Sequence, residues 1–273
     1  MSTDYDKPIG PWVRIFKPGT VHKIDAAELA RWVLHVDKRV IVINKSGELP
    51  CHPSKDGPWS SLAGAVREYF GEAAAHLVFR LDRETSGAVV FARDPATARK
   101  LQMAAQERRY GKTYLAILTG ELAEAVVVDQ PIGDDHDSAV AIKSKVVASA
   151  AKGQTAATRF EPVARGGGFT LARVTTETGR KHQIRVHAQW LGHWLVGDKI
   201  YGPDAQLFLD FVEHGWTAGM AERLFLRRQA LHCSEIDLRQ AGVEQVFRAP
   251  LPEDLRAFCR ERMGLSDEDC ARF

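Results

Sequence analysis

Eight consecutive residues bring opposite charges into one short segment: Arg80-Leu81-Asp82-Arg83-Glu84-Thr85-Ser86-Gly87. In an extended backbone, side chains 80 and 82 share a face while Leu81 points the other way. A carboxylate flanked by cations stays ionised, because nearby positive charge lowers its pKa. Asp82 is then available as a nucleophile or base, and either role needs the carboxylate at neutral pH. A solvated charged loop has the same composition, and the segment alone leaves both readings open.

A second block, Gly179-Arg180-Lys181-His182-Gln183-Ile184-Arg185-Val186-His187, has helical spacing and ends in histidine. A metal site from His182, His187 and His193 fails on geometry. At about 100° per residue, positions 182 and 187 point roughly 140° apart, and 187 and 193 about 120° apart. His182 and His193 share a face but lie about 16 Å apart along the axis. What remains is a cationic helix start, in which Arg180, Lys181 and His182 join first-turn amides as a phosphate site. Cations at a helix N-terminus oppose the macrodipole unless an anion is near, which weighs against a merely exposed basic turn. Arg185, one turn past Lys181, can project inward toward a buried carboxylate.

Two other segments are set aside. Gly111-Lys112-Thr113 looks like the end of a phosphate-binding loop, but Gln106 stands where the first glycine is required, and a strand follows instead of a helix. Arg165-Gly166-Gly167-Gly168 is a single glycine-rich turn between two strands.

The elements that must position these residues follow from the apolar pattern. A helix is expected over Ala26–Leu34 and a strand over Val40–Asn44. Ser60 or Ser61 caps a helix that Gly71 ends. Residues 77–93 read as strand, loop, strand. Asp94 followed by Pro95 opens a helix running to about Arg109, and a strand runs from Lys112 to Gly120. Strands over 158–164 and 169–178 form a hairpin, a helix spans 179–192, and another lies near 205–214. A strand at 231–238 and a helix from Pro252 close the chain. Short turns between successive strands favour antiparallel pairing. The fold class is α+β, with a large mixed, mostly antiparallel sheet, flanking helices and a central cleft.

The bulk numbers set limits. The 273 residues carry a formal charge of +2, with 45% hydrophobic and 26% charged residues. That is an ordinary globular profile, so contact with a polyanion must come from local clusters of Arg and Lys. Cys51, Cys233, Cys259 and Cys270 form no C-x-x-C pair, against a zinc cage or disulfide scaffold. No apolar run approaches the roughly 20 residues needed to span a bilayer. The opening residues lack a leader pattern. A reduced, cytoplasmic protein with no membrane or metal partner is expected.

Together the segments resemble the RluA-type family of RNA pseudouridine synthases. The family pattern His-Arg-Leu-Asp-x-x-Thr-Ser-Gly is similar to residues 79–87, with Phe79 in place of His. Its Lys-x-Tyr strand resembles Lys112-Thr113-Tyr114, and its Gly-Arg-x-His-Gln-Ile-Arg-Val-His block resembles 179–187. Val196-Gly197-Asp198-Lys199-Ile200-Tyr201-Gly202 follows as in the family. The loop with Asn44, Lys45, Gly47, Pro50, His52 and Pro53 also fits, as do Leu231-His232 and Ala249-Pro250-Leu251-Pro252. The likeness covers about residues 40–258.

The resemblance implies isomerisation of uridine to pseudouridine in structured ribosomal or transfer RNA, without a cofactor, by a monomer. It implies Asp82 as the catalytic carboxylate, Tyr114 stacked on a flipped base and Arg185 paired with Asp82. Arg80 would displace the target nucleotide and Leu231 would form an apolar floor. Arg83, Lys112, Arg180, Lys181 and His182 complete the expected RNA-binding set. Residues 40–273 would form the catalytic domain, behind an extension, 1–39, too short for the RNA-binding domain many relatives carry there. The competing readings are a catalytically inactive RNA-binding module of the same fold and a metal-dependent hydrolase; the histidine geometry opposes the latter.

Overall fold

The computed structural model describes residues 24–52, 60–71 and 75–273. The short N-terminal elements are α1 (Ala26–Trp32), β1 (Val33–Val36) and β2 (Val40–Lys45), followed by α2 (Leu62–Phe70), β3 (His76–Leu77) and β4 (Ser86–Ala92). Then come α3 (Pro95–Gln106), β5 (Gly111–Thr119), β6 (Val126–Asp129), β7 (Ile132–Asp134) and β8 (Ser144–Val146). The hairpin β9 (Ala157–Gly166) and β10 (Phe169–Thr176) leads into α4 (Gln183–Trp190), α5 (Gln206–His214) and α6 (Ala218–Leu224). The chain ends with β11 (Leu231–Asp237), β12 (Val246–Arg248), α7 (Glu253–Met263) and α8 (Asp267–Ala271).

A ten-stranded sheet runs in the order β1-β2-β4-β11-β5-β10-β9-β6, with β12 paired to β11 and β3 to β4; β7 and β8 form a separate ribbon. All pairings are antiparallel except β4 with β11, which is parallel and brief, Ser86 facing His232 and Gly87 facing Cys233. That seam divides the sheet into two halves. Gly87 makes it possible: its φ is +113°, and a Cβ there would lie 2.3 Å from the Cys233 carbonyl oxygen. His232 fixes the same seam. Its Nε2 lies 3.1 Å from the Ala249 carbonyl and its Nδ1 3.0 Å from Ser86 Oγ. Donation to the carbonyl leaves Nδ1 to accept the serine proton.

Sequence chemistry explains most element ends. Asp94 accepts from the Thr97 amide at 2.8 Å with Pro95 at the first helical position, and Ser61 caps α2 through the Gly64 amide. Gly167 and Gly168, both at positive φ, turn the β9–β10 hairpin. Three expected helices are shorter than their patterns, α3 ending at Gln106 rather than near Arg109, where Arg108 takes a left-handed φ of 57°. The helix expected over 26–34 stops at Trp32, because Val33–Val36 pairs with β2 and extends the sheet edge; β-branched residues favour that pleated surface. The one expected over 179–192 begins only at Gln183.

The strand β5 shows how one element serves two cores. Tyr114, Ala116 and Leu118 join the main cluster with β2, β4 and α2, while Leu115 and Ile117 pack with Leu255, Phe258 and Cys259 of α7. That alternation is the period-two geometry of a strand covered on both faces. The strand is thereby packed on both faces where its side chains reach the central cleft.

Candidate active site

A cleft opens beside the seam, lined by Asp82, Tyr114, Leu231, His182, Arg185 and the basic residues Arg80, Lys112 and Arg180. Four elements meet there. Asp82 lies in the 78–85 loop that leads into β4, Tyr114 projects from β5, Leu231 opens β11, and Arg185 stands in the first turn of α4.

Asp82 keeps 28% of its side-chain surface open, so a substrate can reach it. Arg185 Nη1 donates to Asp82 Oδ2 at 3.0 Å, and Gln229 Nε2 approaches the same oxygen at 3.5 Å. Burial by itself would raise the Asp82 pKa, but the Arg185 guanidinium and its hydrogen bond outweigh that and hold the carboxyl below its usual 3.8. Arg185 is itself fixed from behind. Its Nε and Nη2 donate to Asp198 at 2.6 and 2.8 Å, and its guanidinium lies 4.9 Å from the centre of the Tyr201 ring. Asp198 Oδ1 also accepts the Ile200 and Tyr201 amides. One arginine therefore bridges a buried structural carboxylate and an accessible one.

His182 faces the Asp82 carboxylate from beyond hydrogen-bond distance. It sits in the left-handed region at φ 56°, a costly conformation for a residue with a side chain. The Tyr201 hydroxyl accepts the Ser144 amide at 2.9 Å and lies 2.9 Å from His182 Nδ1. The hydroxyl proton therefore goes to Nδ1, leaving the imidazole hydrogen on Nε2, which faces Asp82 Oδ2 at 4.0 Å. Burial, aided by Arg185, pushes the His182 pKa down to about 4. His182 is thus a neutral N–H donor at neutral pH.

The loop carrying Asp82 is anchored along its length. Lys45, fully buried, donates to the carbonyls of Ser46, Leu49 and Arg83 at 2.8, 2.8 and 3.0 Å. Arg228 pairs with Asp254 through two bonds and donates to the Glu84 carbonyl at 3.1 Å. Lys199 holds the Glu84 carboxylate at 2.7 Å, and Gln229 Nε2 holds Thr85 Oγ1 at 2.7 Å.

The residues expected from sequence do not all serve alike. Asp82, Tyr114, Arg185 and Leu231 converge on the cleft wall. Tyr114 is buried, and desolvation raises its phenol well above the ordinary value, so it stays protonated. Arg80 is exposed at the rim, and Arg83 lends its carbonyl to Lys45. The cationic helix start needs correction. Residues 178–182 form a turn ahead of α4, closed by Gln183, whose Oε1 accepts from Thr178 Oγ1 and the Arg180 amide. His182 turns into the cleft uncharged. Lys181 is paired with Asp134 at 3.1 Å, and Arg180 Nε donates to the Thr155 carbonyl at 3.0 Å. His187 is structural, lying 2.9 Å from Thr158 Oγ1 and 3.0 Å from the Gln130 carbonyl. Sequence reasoning gave no site role to Asp198, Tyr201, Gln229 or Lys45. Three of them stand inside the quoted motif blocks, which was the available signal.

Comparison with known proteins places the chain in a family. The RNA pseudouridylate synthase family profile matches residues 39–190. An uncharacterized RNA pseudouridine synthase of Bacillus subtilis, YhcT, is 32% identical over 237 residues, covering 84% of this chain and 71% of the relative. The ribosomal large subunit pseudouridine synthase D of Vibrio parahaemolyticus is 32% identical over 261 residues, covering 89% and 76%. Among solved structures, human RNA pseudouridylate synthase domain containing 4 superposes with a TM-score of 0.69 at 26% identity, over 89% of this chain and 97% of that one. The chain belongs to the RluA-type family of RNA pseudouridine synthases. It is an isomerase that acts on uridine in RNA.

Proposed function

We propose that this synthase flips a specific uridine out of structured RNA and isomerises it with Asp82 as the catalytic carboxylate. Ribosomal RNA is the favoured substrate over transfer RNA, supported by relatives named as large ribosomal subunit synthases. A base inside folded RNA must leave its stack, at a cost of a few kcal/mol. Stacking on Tyr114 returns about 1–3 kcal/mol, and Leu231 supplies the apolar floor. Arg80, exposed at the rim, fills the space the base vacates. Arg83, Lys112, Arg180, Lys181 and His182 serve the surrounding nucleotides or the site's shape.

The observation that carries this reading is an accessible carboxylate kept ionised by a buried arginine, beside a tyrosine, in a basic cleft. Asp82 promotes breakage of the bond between uracil N1 and the sugar. The freed base rotates and its carbon 5 bonds to the sugar; the carbon 5 hydrogen leaves as a proton and N1 gains one. Catalysis rests on residues 40–273, in a cytoplasmic monomer that uses no metal.

The test is tritium release from RNA labelled at uridine carbon 5, taken from cells lacking this gene. Release by wild type and none by Asp82→Ala supports the assignment. Release by both would remove Asp82 from the chemistry, and release by neither would leave an RNA-binding protein.

A further inference from the structure

Lys112 lies in the cleft wall among the residues expected to meet RNA, and its surroundings single it out from the other cations there. It shares a face of β5 with Tyr114, because strand residues two apart point the same way, and Tyr110 stands just ahead of the strand. Its ammonium lies 4.8 Å from the Phe79 ring centre and 5.8 Å from that of Tyr110, and these two rings stack at 5.8 Å. Among the described residues no carboxylate comes within ion-pair distance of it, and no side chain or carbonyl accepts from it. Asp82, also on the cleft wall, is committed to Arg185. The nearby Cys233 thiol is pushed by burial up to about 12, so it stays protonated and supplies no countercharge.

Desolvated charges in proteins are ordinarily paired. The two buried ammonium groups among the described residues follow that rule, Lys45 being met by three carbonyls and Lys199 by Glu84 and the Arg227 carbonyl, whereas Lys112 is half-buried in the cleft wall, where a ligand can reach it. Lys112 has only aromatic faces, which hold a cation in place without neutralising it. Phe79 matters to that arrangement. The resembled family has histidine there, whose ring can itself become cationic; phenylalanine offers a face and no competing charge.

We propose that Lys112, held on the Phe79 and Tyr110 rings, is the binding site for a backbone phosphate of the nucleotide that enters the cleft. This rests on RNA being the substrate and names the contact that seats it. A phosphate is favoured over a uracil carbonyl because it is charged before any bond breaks, as an unpaired ground-state cation requires. The aromatic cage keeps the ammonium extended, so little side-chain order is lost on binding.

The test compares wild type, Lys112→Met and Lys112→Arg in RNA affinity and in kcat/KM for tritium release across a salt series. RNA labelled at uridine carbon 5, from cells lacking the gene, is the probe. Loss of one charge-assisted contact should lower affinity and kcat/KM by about tenfold to a hundredfold. The slope of log affinity against log salt should become shallower by about 0.7–0.9, the contribution of one phosphate. Lys112→Arg should recover most of both. An unchanged salt slope would overturn the proposal. So would a loss confined to kcat, which would move the charge to the departing uracil, or a lowered Tm with affinity intact, which would make Lys112 a packing residue. If wild type binds RNA with the Lys112-dependent slope yet releases no tritium, the reaction reading fails while the phosphate site stands.

Discussion

Asp198→Asn should cripple turnover while leaving the cleft able to bind RNA. Asp198 is fully buried and does not line the cleft. It takes two bonds from Arg185, at 2.6 and 2.8 Å, and two backbone amides on one oxygen. The amide variant keeps the volume. If its oxygen stays on the Ile200 and Tyr201 amides, its NH2 group faces Arg185 Nε, donor against donor. Removing one partner of a buried ion pair costs about 3–5 kcal/mol. Here Asp82 still balances the guanidinium, and one Arg185 bond survives, so about 2–4 kcal/mol is the better figure, near one or two charge-assisted bonds. Expressed in the transition state, that lowers the single-turnover rate roughly 30-fold to 1,000-fold. The assay is single-turnover tritium release at saturating enzyme, with RNA affinity and Tm measured in parallel. Affinity should stay within about threefold, because no phosphate contact is removed. A single-turnover rate within threefold of wild type would refute the idea that Asp198 aims Arg185 at Asp82.

Other outcomes follow from the same contacts. Asp82 has its folded pKa held below 3.8, so its catalytic form persists above that value and is lost only as pH falls through the lowered pKa. The acid side of the pH–rate profile should therefore be flat between about pH 5 and 7, and a limb near 6 would assign the titration to another group. Burial lowers the Lys45 pKa from 10.5 to about 8, so between those values the unfolded chain binds more protons and this group's contribution to stability rises with pH. Urea titrations at pH 7, 9 and 10 should show that rise in wild type and lose it in Lys45→Met, which should also be less stable at pH 7 because three carbonyls lose their donor. Arg180→Ala should flatten the salt dependence of RNA binding by about one charge. Lys181→Ala should do so less, since Asp134 already shares its charge; equal slopes would show that the ion pair opens on binding.

The limits of the sequence lie in how far apart in the chain cooperating groups stand. Local chemistry was readable: Asp94-Pro95, the Ser61 cap and the glycine turn each depend on neighbours within a few residues. The sheet class was also readable, because short turns constrain strand direction. The start of α4 was not. Helical spacing continues back to Gly179, but His182 takes a left-handed conformation and Gln183 spends its side chain closing the preceding turn. Those long-range demands outweigh propensity, because the turn must deliver His182 Nε2 to Asp82 while β9 takes the Gln183 amide through Ala157 and Thr158. The partner of Arg185 shows the same logic. A carboxylate thirteen residues downstream has no periodic relation to it, and the loop between them decides the match. Phe79 is the converse case. Read along the chain it is only a departure from a motif, but across the sheet its ring meets Tyr110 and Lys112. Phe79 thus shapes the surroundings of the cleft-wall lysine, a contact that only the folded chain brings together.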